Sequence, residues 1–580
     1  MKRLGMTLLV LCAISCTHEK ERGDPLSPAS AEANSGAPKP ANPAAPTQAA
    51  PAVASTTQPA AQPVTPSAAP LAAAPPSPTQ TPVPAAITPA GTAAAAAIGK
   101  APGPGLLALP VNDKSIINLM VRFASGAIDD PQGKAGVTAL TARLMTEGGT
   151  QALDSKQLLN ALFPLAAELD VRVDKELTTF TARVHKDNLD QFLPIFIDVI
   201  LHPRWDAKEF ARLREAALND VSKRLRQGDD ENLGKESLEE LIFRGHPYGR
   251  LTEGHLTDLK SLTLPDLQTQ AKRLFTADRL TVGVSGGYRP GLGEKLLKTL
   301  SALPATSEAR ALPPVAVRNG PRFELIEKQA DSTALSMGLP WGLSQADPDW
   351  AAMSIARSAF GEHRQFNGRL MNRLREQRGL NYGDYAYIEY FEQEGGDAAT
   401  AQLGRARHQQ QFSIWVRPVQ NDNRLFALRA ALFELDRSLN EEPFSQAEVD
   451  QTQGFLDGYL LLFDQTDARR LGYALDDAFY GQQAFLSQWR ASLRNLTAAQ
   501  VNAAWKKWVD PTKLQIVLAG PNMAEVKKVL LDGSATPIHY PNPAEKDAAL
   551  LATDKLIEKM PFGAQGDTDV EIVRVEQLFQ

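Results

Sequence analysis

Two stretches of the chain show the same succession of a predicted strand, a turn and a helix. In the first, the apolar run Ile116–Phe123 precedes a polar turn and a helix that ends near Leu144. In the second, Thr333–Pro340 precedes a turn and the helix Trp350–Phe360. Strands and helices are told apart because side chains alternate with a period of two in a strand and 3.6 in a helix. The repetition predicts two similar halves.

Each half also ends on an apolar strand that a glycine terminates, Leu280–Gly286 in the first and Leu514–Gly520 in the second. Beyond the second half, Val570–Val575 predicts one more strand, after a helix from near Ala544 to Lys559. Strands therefore precede and follow long helical tracts in both halves. We predict an α+β fold of two homologous lobes, each a twisted, mostly antiparallel sheet covered by helices.

Composition sets the outer limits of these lobes. From Asp24 to Pro104 the chain is dominated by alanine, proline, threonine, serine and glutamine, and no charged residue occurs from Pro40 to Gly99. Such a segment cannot bury a core, and we expect a disordered, partly polyproline spacer that can extend over roughly 200 Å. The predicted division of the chain is leader peptide 1–15, tether 16–104, first lobe 105–303, linker 304–321, second lobe 322–524 and a C-terminal extension 525–580 that packs on the body.

The N-terminus has the features of a bacterial export signal. Basic Met1–Arg3 precedes the apolar run Leu8–Ile14, which is too short to span a bilayer permanently. Ala13–Cys16 resembles a lipobox, at which the leader is cut before a cysteine that then carries lipid. We expect lipidation of Cys16 and anchorage on the periplasmic side of the cell envelope, at the outer membrane because Thr17 is not the aspartate that signals inner-membrane retention. The alternative is an ordinary secretory signal with an incidental cysteine.

Cysteine usage and charge exclude several kinds of site. Both cysteines of the chain lie in the N-terminal segment, at positions 12 and 16, so the body can hold neither a disulfide nor a cysteine-ligated zinc ion. The net charge of -6 carries no footprint of nucleic-acid binding. We interpret the charge runs Lys223–Arg226 and Glu236–Glu240, and the pair Glu362 and His363, as solvent-exposed groups.

One stretch, Arg369–Tyr382, joins a predicted helix to a strand through a single glycine. Leucines at helical spacing predict a buried face, and Gly379 suits the left-handed residue that ends a helix. Arg375 and Tyr382 lie on either side of this turn. Both are hydrogen-bond donors and could hold the backbone carbonyls of an extended peptide. The other interpretation of the spacing is that Arg375 caps the helix and Tyr382 fills the edge of the core.

The segment Leu374–Tyr382 reads leucine, arginine, glutamate, two further residues, glycine, leucine, one residue and tyrosine. It resembles a block in the C-terminal half of the pitrilysin/insulinase family of zinc peptidases, and His202–Phe210 and Phe243–Gly249 resemble other parts of that family. The resemblance extends over nearly all of the body. It implies a clamshell of two lobes, in which Arg375 and Tyr382 bind substrate backbone opposite a metal.

The family's zinc motif is replaced in this chain. Active members carry His-x-x-Glu-His on the opening helix of the first lobe, where two histidines hold zinc and the glutamate activates water. The ligand positions here hold Ala139 and Arg143, and the base position holds Ala142. The family's third ligand, a glutamate, falls near Asp220. We expect no metal on this chain; a zinc centre assembled from distant residues is the alternative.

A replaced zinc motif beside a retained arginine and tyrosine is similar to the arrangement in some bacterial members of the family, whose active enzyme is a heterodimer. The resemblance implies a non-catalytic, substrate-holding subunit of a two-chain zinc metallopeptidase that acts on peptides in the cell envelope. The chain would not be an enzyme by itself, and zinc would be on a homologous partner subunit. The alternatives are a stand-alone peptide-binding or envelope-assembly pseudopeptidase and an active peptidase with a relocated metal site.

The lipobox-like run predicts that Cys16 is the mature N-terminus and carries lipid. The wild-type chain should partition into the detergent phase of a phase-separating detergent, and Cys16→Ser should partition into the aqueous phase because a thioether-linked lipid cannot form on serine. Equal partitioning of the two proteins would show that the anchor is wrong.

Overall fold

A computed structural model describes residues 105–307, 310, 312–363, 365, 367–391 and 406–580. The predicted leader, Cys16 and the tether lie outside these residues. None of the helices in the described part combines the length and the apolar run that a membrane crossing requires.

Five strands form the sheet of the first lobe: β1 (Gly105–Pro110), β2 (Ile116–Phe123), β3 (Glu168–Val173), β4 (Thr178–His185) and β5 (Leu280–Gly286). Their order across the sheet is β1-β5-β2-β4-β3. β1 runs parallel to β5, and all other neighbours are antiparallel. The apolar runs that predicted β2 and β5 therefore lie at the centre of the sheet, where strands are buried on both faces.

The second lobe repeats this arrangement and adds one strand. Its strands are β6 (Arg322–Glu327), β7 (Ser332–Trp341), β8 (Asp384–Tyr387), β9 (Gln410–Gln420), β10 (Gln515–Gly520) and β11 (Val570–Arg574). Their order is β11-β6-β10-β7-β9-β8, which is the order of the first sheet with β11 added in parallel outside β6. The prediction of two homologous lobes with mostly antiparallel sheets is confirmed.

Sixteen α-helices are described. Those of the first lobe are α1 (Val137–Glu147), α2 (Ser155–Leu162), α3 (Leu189–Leu201), α4 (Ala207–Asn219), α5 (Asp230–Ile242), α6 (Leu256–Ser261), α7 (Leu264–Leu274) and α8 (Leu292–Leu300). The later helices are α9 (Trp350–Gly361), α10 (Arg424–Asn440), α11 (Gln446–Tyr459), α12 (Asp467–Tyr480), α13 (Phe485–Leu493), α14 (Ala498–Trp508), α15 (Met523–Asp532) and α16 (Ala548–Ile557). Capping boxes start several of them, as Ser445 with Glu448 does for α11.

Each lobe contributes one helix that packs on the sheet of the other lobe. Helix α5 of the first lobe packs on β7 and β10, and α12 of the second lobe packs on β5 and β1. The approach is close, because a Cβ on Gly234 of α5 would lie 3.0 Å from Ser336 Oγ. A Cβ on Gly283 of β5 would lie 3.0 Å from Leu471 Cδ1 of α12. Glycine at these two contacts lets helix and sheet meet without a side chain between them.

The apolar cores follow this exchange. In the second lobe Trp505 is fully buried among aromatic rings, 5.4 Å from Phe360 and 5.6 Å from Phe412 between ring centres, and its Nε1 donates to Ser438 Oγ at 2.9 Å. A further core joins the first-lobe helices α1, α4 and α5 to the second sheet and includes Val517 of β10. Each large side chain in such a core contributes about 1.5 to 3 kcal/mol from burial.

Charged side chains are also buried between the lobes, in a group that we call the interlobe network: Asp174, Lys175, Glu176 and Glu239 of the first lobe with Arg407 and His408 of the second. Arg407 Nε and Nη2 donate to the two oxygens of Asp174 at 2.7 and 2.5 Å. Arg407 Nη1 donates to Glu239 Oε1 at 2.7 Å. These side chains are only 2–3% exposed. The planar guanidinium binds both oxygens of Asp174 and one of Glu239, whose other oxygen lies 3.5 Å from Lys175 Nζ, and this pairing makes the burial of the charges possible.

Glu176 is the second centre of the interlobe network. It is fully buried and accepts the hydroxyl of Tyr248, the backbone N–H of His408 at 2.7 Å and His408 Nδ1 at 2.8 Å. Burial raises the pKa of Glu176, but the bond to His408 and its charge outweigh this and hold the pKa below its ordinary value. The carboxylate therefore stays charged inside the protein.

The interpretation of the charge runs as solvent-exposed is wrong for part of each run. Glu239 is 2% exposed and Arg226 is 6% exposed, whereas Glu236 is partly exposed. For Glu239 the reason is that α5 turns this side chain towards the other lobe, where Arg407 supplies the countercharge. Periodicity alone cannot distinguish water from a distant countercharge as the partner of a polar helix face.

Arg407→Met should lower the free energy of unfolding by about 3–5 kcal/mol, because it leaves the carboxylates of Asp174 and Glu239 buried without their partner. Urea unfolding at pH 7 measures the change. Arg494→Met is the matched control, since Arg494 is 59% exposed in its pair with Asp457, and its cost should stay below about 1 kcal/mol. Equal costs for the two variants would contradict a special role of the buried pair.

Candidate functional site

Two of the segments that hold candidate site residues contain π-helical turns; the third, α1, is an ordinary α-helix and holds Ala139, Ala142 and Arg143. Asp220–Gly228 follows α4 and begins with Asp220, and Met371–Glu376 contains Arg375. In the second segment Gln377 N donates to the carbonyl oxygen five residues back at 2.9 Å. Within the described residues these are the two π-helical segments. Such turns are rare and often lie at functional sites, so the backbone marks the same two places as the sequence does.

Arg143, the residue predicted to stand at a zinc-ligand position of the family motif, lies between two carboxylates of its own chain. Arg143 Nε is 3.1 Å from Glu147 Oε1, and its Nη1 is 3.9 Å from Asp220 Oδ2. A guanidinium at this position opposes a divalent ion, and Ala139 and the buried Ala142 have no ligand atom to offer. The residues present therefore do not fit zinc. Across the described ranges, no group of three or more histidine, cysteine or acidic side chains has a metal-binding arrangement.

A cleft, which we call the interlobe cleft, opens beside Asp220. It is small: the space that a water molecule can enter is about 60 Å³. Asp220 and Arg224 contribute to it from the first lobe, and Tyr390 and Phe391 from the second. The residues that line it are Val173, Asp174, Asp220, Val221, Arg224, Leu225, Asn232, Lys235, Glu236, Leu251, Thr252, Glu253, Tyr390 and Phe391. The cleft thus depends on both lobes being held in register.

Two ionisable side chains of α5 line this cleft. Lys235 Nζ is 2.8 Å from Glu231 Oε1 and lies 3.9 Å from the ring centre of Trp415, and desolvation lowers its pKa. Glu236 accepts the hydroxyl of Tyr390 at 3.0 Å. Desolvation, and then the charges of nearby carboxylates, raise the pKa of Glu236 to about 7. The charge on the cleft wall therefore changes near neutral pH.

Arg375 lies beside a buried carboxyl group. Its Nη1 is 3.8 Å from Met371 Sδ, its Nε is 3.6 Å from Glu376 Oε1, and its side chain is 30% exposed. Burial raises the pKa of Asp384 to about 7, against the opposing effects of a 2.7 Å hydrogen bond from Asn381 and the charge of Arg375. Arg375 is thus electrostatically coupled to the first residue of β8.

Tyr382 points its ring into solvent with 81% of its surface exposed, whereas Tyr385 and Tyr387 of β8 are buried. It does not fill the edge of the core, and it lies two residues before β8 rather than at its first position. A side chain at the intervening Gly383 would press on the hydroxyl end of the buried Tyr385. The backbone before β8 therefore rests directly on a buried aromatic side chain.

Beneath Tyr382 lies a layer of stacked rings. His363 stacks on Tyr385 with ring centres 4.3 Å apart, and its Nδ1 contacts the hydroxyl of Tyr387. Tyr387 in turn contacts Phe391 at 4.5 Å and Trp415 at 4.3 Å between ring centres. His363 is 7% exposed, so its interpretation as a surface group is wrong. The layer extends from the turn of Tyr382 to Phe391 in the wall of the interlobe cleft.

Polar contacts lead along the same route. Asn381 Nδ2 donates to the carbonyl oxygen of Arg417 at 3.1 Å, and Arg417 Nε is 3.1 Å from Glu231 Oε2. Glu231 binds Lys235, which lines the cleft. The two predicted substrate-binding residues are not themselves lining residues of the cleft. The structure therefore connects them to it through β8, β9 and the start of α5.

The neighbouring arginines of the segment serve packing. Arg369 Nε binds Glu448 Oε1 at 2.9 Å, and Arg373 Nη2 binds Glu442 Oε1 at 2.7 Å. Their side chains are 4% and 17% exposed, against 30% for Arg375. Arg375 is therefore the arginine of this turn that best reaches an incoming ligand.

Two family models match the chain. One, described as Peptidase M16 inactive domain, matches residues 261–455, and the other, described as Insulinase (Peptidase family M16), matches residues 107–255. Together the matches span more than half of the 580 residues. The chain belongs to peptidase family M16. Its resemblance to the pitrilysin/insulinase peptidases is thereby confirmed at the level of the family.

Relatives of this M16 chain have both catalytic and non-catalytic names. An uncharacterized zinc protease of Mycobacterium tuberculosis is 24% identical over 386 residues, which are 65% of this chain and 82% of that protein. A non-peptidase homolog of Helicobacter pylori is 21% identical over 367 residues, 62% of this chain and 78% of that protein. With Ala139, Ala142 and Arg143 at the zinc-motif positions, the matches support a non-catalytic member of family M16.

Solved structures confirm the M16 fold. A peptidase M16 inactive domain from Pseudomonas fluorescens superposes with a TM-score of 0.64 at 23% identity, over 72% of this chain and 96% of that one. A protease from Helicobacter pylori superposes with a TM-score of 0.62 at 16% identity, over 72% of this chain and 98% of that one. At these identities the likeness concerns the two-lobed fold alone.

Sequence reasoning missed most of the cleft wall. Tyr390 and Phe391 directly follow the aromatic run of β8, and that run was a local signal for an aromatic surface. Lys235 offered no such signal, because its contact with Trp415 joins residues far apart in the chain. The family motifs pointed to the segments of Arg143 and of Arg375 with Tyr382, but not to the residues of the cleft wall.

The raised pKa of Asp384 predicts a pH-dependent stability. The folded chain binds this proton more tightly than the unfolded chain, so the contribution of Asp384 to the free energy of unfolding falls as the pH rises from about 4 to about 7. Asparagine cannot ionise. Between pH 4.5 and pH 8, the free energy of unfolding of Asp384→Asn should therefore rise relative to that of wild type by about 1–4 kcal/mol. Urea unfolding at the two pH values measures this.

Asp422→Asn is the control, because it changes an exposed carboxyl group in the same lobe. Its difference in free energy of unfolding from wild type should be the same at the two pH values. Parallel stability curves for wild type and Asp384→Asn would show that the buried carboxyl group does not titrate in this range.

Proposed function

We propose that this M16 chain is the non-catalytic, substrate-holding subunit of a two-chain zinc metallopeptidase that acts on peptides in the bacterial cell envelope. The partner would be a homologous subunit that carries the zinc ion. This chain would contribute binding geometry to catalysis. One contrast supports the proposal: Arg143 lies where the family holds its metal, whereas Tyr382 keeps its phenol exposed on a firmly packed turn.

The sheets suggest how an extended peptide would be held. β3 and β8 lie at sheet edges, and an edge strand presents N–H and C=O groups to which a peptide can add as another strand. The last residue of β3, Val173, lines the interlobe cleft. Arg375 and the Tyr382 hydroxyl would donate to carbonyl oxygens of the same peptide. Main-chain recognition of this kind favours unfolded substrates of varied sequence.

Lipid on Cys16 would keep the complex at the envelope, on the periplasmic side and at the outer membrane. The segment between Cys16 and β1 would then act as a spacer of up to roughly 200 Å. Such a length would let the body reach peptides well away from the lipid surface.

The proposal predicts the composition of the native complex. The chain purified alone should hold no stoichiometric zinc and cleave no peptide. The tagged chain isolated from its own cells should bring a homologous protein that contains His-x-x-Glu-His, with about one zinc ion per complex. Mass spectrometry and metal analysis measure both. One zinc ion retained by the isolated chain would instead indicate a relocated metal site, and capture of peptides without a homologous partner would indicate a stand-alone binding protein.

The proposal also predicts the effect of substitutions at the candidate pair. Arg375→Ala and Tyr382→Phe should each lower the turnover of the complex by roughly 10- to 1000-fold, the range for loss of one oriented donor. Arg375→Lys should not restore activity, because an ammonium group lacks the planar fork. The double variant should lose less than the product of the two losses if both donors bind one substrate. Steady-state kinetics of the reconstituted complex on fluorescein-labelled casein tests this.

Arg369 and Arg373 cannot serve as controls for these variants because their ion pairs are structural. Arg490 of α13 is a better match, since its side chain is 33% exposed, close to the 30% of Arg375, and pairs with Asp457 of α11 away from the turn. Arg490→Ala should leave turnover unchanged. If it lowers turnover as much as Arg375→Ala does, or if Arg375→Ala only unfolds the chain, the substrate-holding role is wrong.

A further inference from the structure

The C-terminal extension binds the turn that lies between Arg375 and Tyr382 through an ion pair and hydrogen bonds. Arg378, within this turn, donates from Nε to Asp554 Oδ1 of α16 at 2.8 Å. The two side chains are 2% and 5% exposed. Tyr540 of the extension donates its hydroxyl to Asp554 Oδ2 at 2.7 Å. Asp554 is therefore held by a neighbour in its own segment and aims its other oxygen at the turn.

The same contacts supply partners to the carbonyl groups at the end of the π-helical turn. Arg378 Nη1 donates to the carbonyl oxygen of Arg373 at 2.7 Å, and Lys546 Nζ donates to that of Gln377 at 2.7 Å. Gly379 follows with a φ of 69° and donates its N–H to the carbonyl oxygen of Arg375 at 2.7 Å. This left-handed residue ends the helix as predicted. Carbonyl groups at a helix end need such partners, and here the extension provides part of them.

The extension is itself fixed to the second lobe. The guanidinium of Arg429 on α10 is buried and binds the carbonyl oxygen of Met560 and the hydroxyl of Thr536, both at 2.7 Å. Ile557 of α16 is fully buried in the core of this lobe. β11 adds to the sheet beside β6. The extension is thus anchored on both sides of Asp554 and can transmit that rigidity to the turn.

We propose that Asp554 is a positioning residue, which holds the turn of Arg378 so that Arg375 and Tyr382 keep the separation needed to bind one peptide. The inference rests on the proposed function of that pair. Arg378 lies three residues after Arg375 and four before Tyr382, so a shift of the turn moves both. A displacement of about 1 Å at such a site costs up to 100-fold in binding or rate.

The test compares Asp554→Asn with Asp569→Asn in the full chain. Asp554→Asn removes the charge and keeps an oxygen for Tyr540, whereas Asp569, which also belongs to the extension, pairs with Arg318 of the linker between the lobes. Amide hydrogen exchange of residues 371–384 should accelerate by roughly 10-fold or more in Asp554→Asn, with little change elsewhere. Asp569→Asn should leave this segment unchanged. Exchange in the segment equal to wild type, or acceleration spread over the whole chain, would overturn the proposal.

A second measurement separates positioning from general stability. Turnover of the complex on fluorescein-labelled casein should fall about 10- to 100-fold in Asp554→Asn. Arg375→Ala should lower turnover by a much smaller factor in the Asp554→Asn background than in wild type, because the guanidinium is already misplaced there. If the two substitutions acted independently, their factors would multiply. Multiplicative losses would overturn the positioning role. If Arg375→Ala costs nothing in wild type, the proposed function fails, and the exchange measurement decides on the positioning of the turn by itself.

Discussion

The bond of Arg407 to Asp174 and Glu239 is the contact on which the arrangement of the two lobes depends. It joins the turn after β3, the middle of α5 and the residues before β9, which come from three distant parts of the chain. Its guanidinium also lies 3.9 Å from the ring centre of Tyr390, a residue of the cleft wall. Buried ion pairs seldom add much net stability over apolar packing. Their geometry is demanding, however, and here it sets where one lobe stands against the other.

The two segments that hold Arg143 and Arg375 are built differently. At the position of the metal, Arg143 reaches towards Asp220 from partly exposed surface, and nothing in the packing around it requires a bound ion. The turn with Arg375 is held differently, by buried ion pairs of its flanking arginines and by the aromatic layer below Tyr382. The segment of Arg375 is therefore more rigidly held than the surface around Arg143. This rigidity suits a role in orienting a ligand rather than in activating water.

Local patterns in the sequence predicted what local forces determine. The apolar runs predicted the bounds of β2 and β5, and the repeated succession of elements predicted that the two lobes are alike. The assignment of Arg375 and Tyr382 as substrate-binding residues, and of Ala139, Ala142 and Arg143 as replaced motif positions, rests on the family resemblance and stays a prediction. Contacts across long sequence separations were not accessible in this way. Glu239 and His363 were taken as exposed because their partners lie far along the chain, and nothing near Arg378 indicated that Asp554 would bind it.

The exchange of α5 and α12 between the lobes has a consequence for folding during synthesis of the chain. While the chain is being made, the first sheet lacks the helix that covers β5 and β1 until α12 has followed late in the second half. An apolar sheet face that waits for a distant partner is open to wrong association. Helix α8 covers these two strands from within the first lobe, whereas the contribution of α12 is missing until the second half has been made. The two lobes complete each other's sheets, so a chain interrupted after its first half leaves apolar surface of β5 and β1 uncovered.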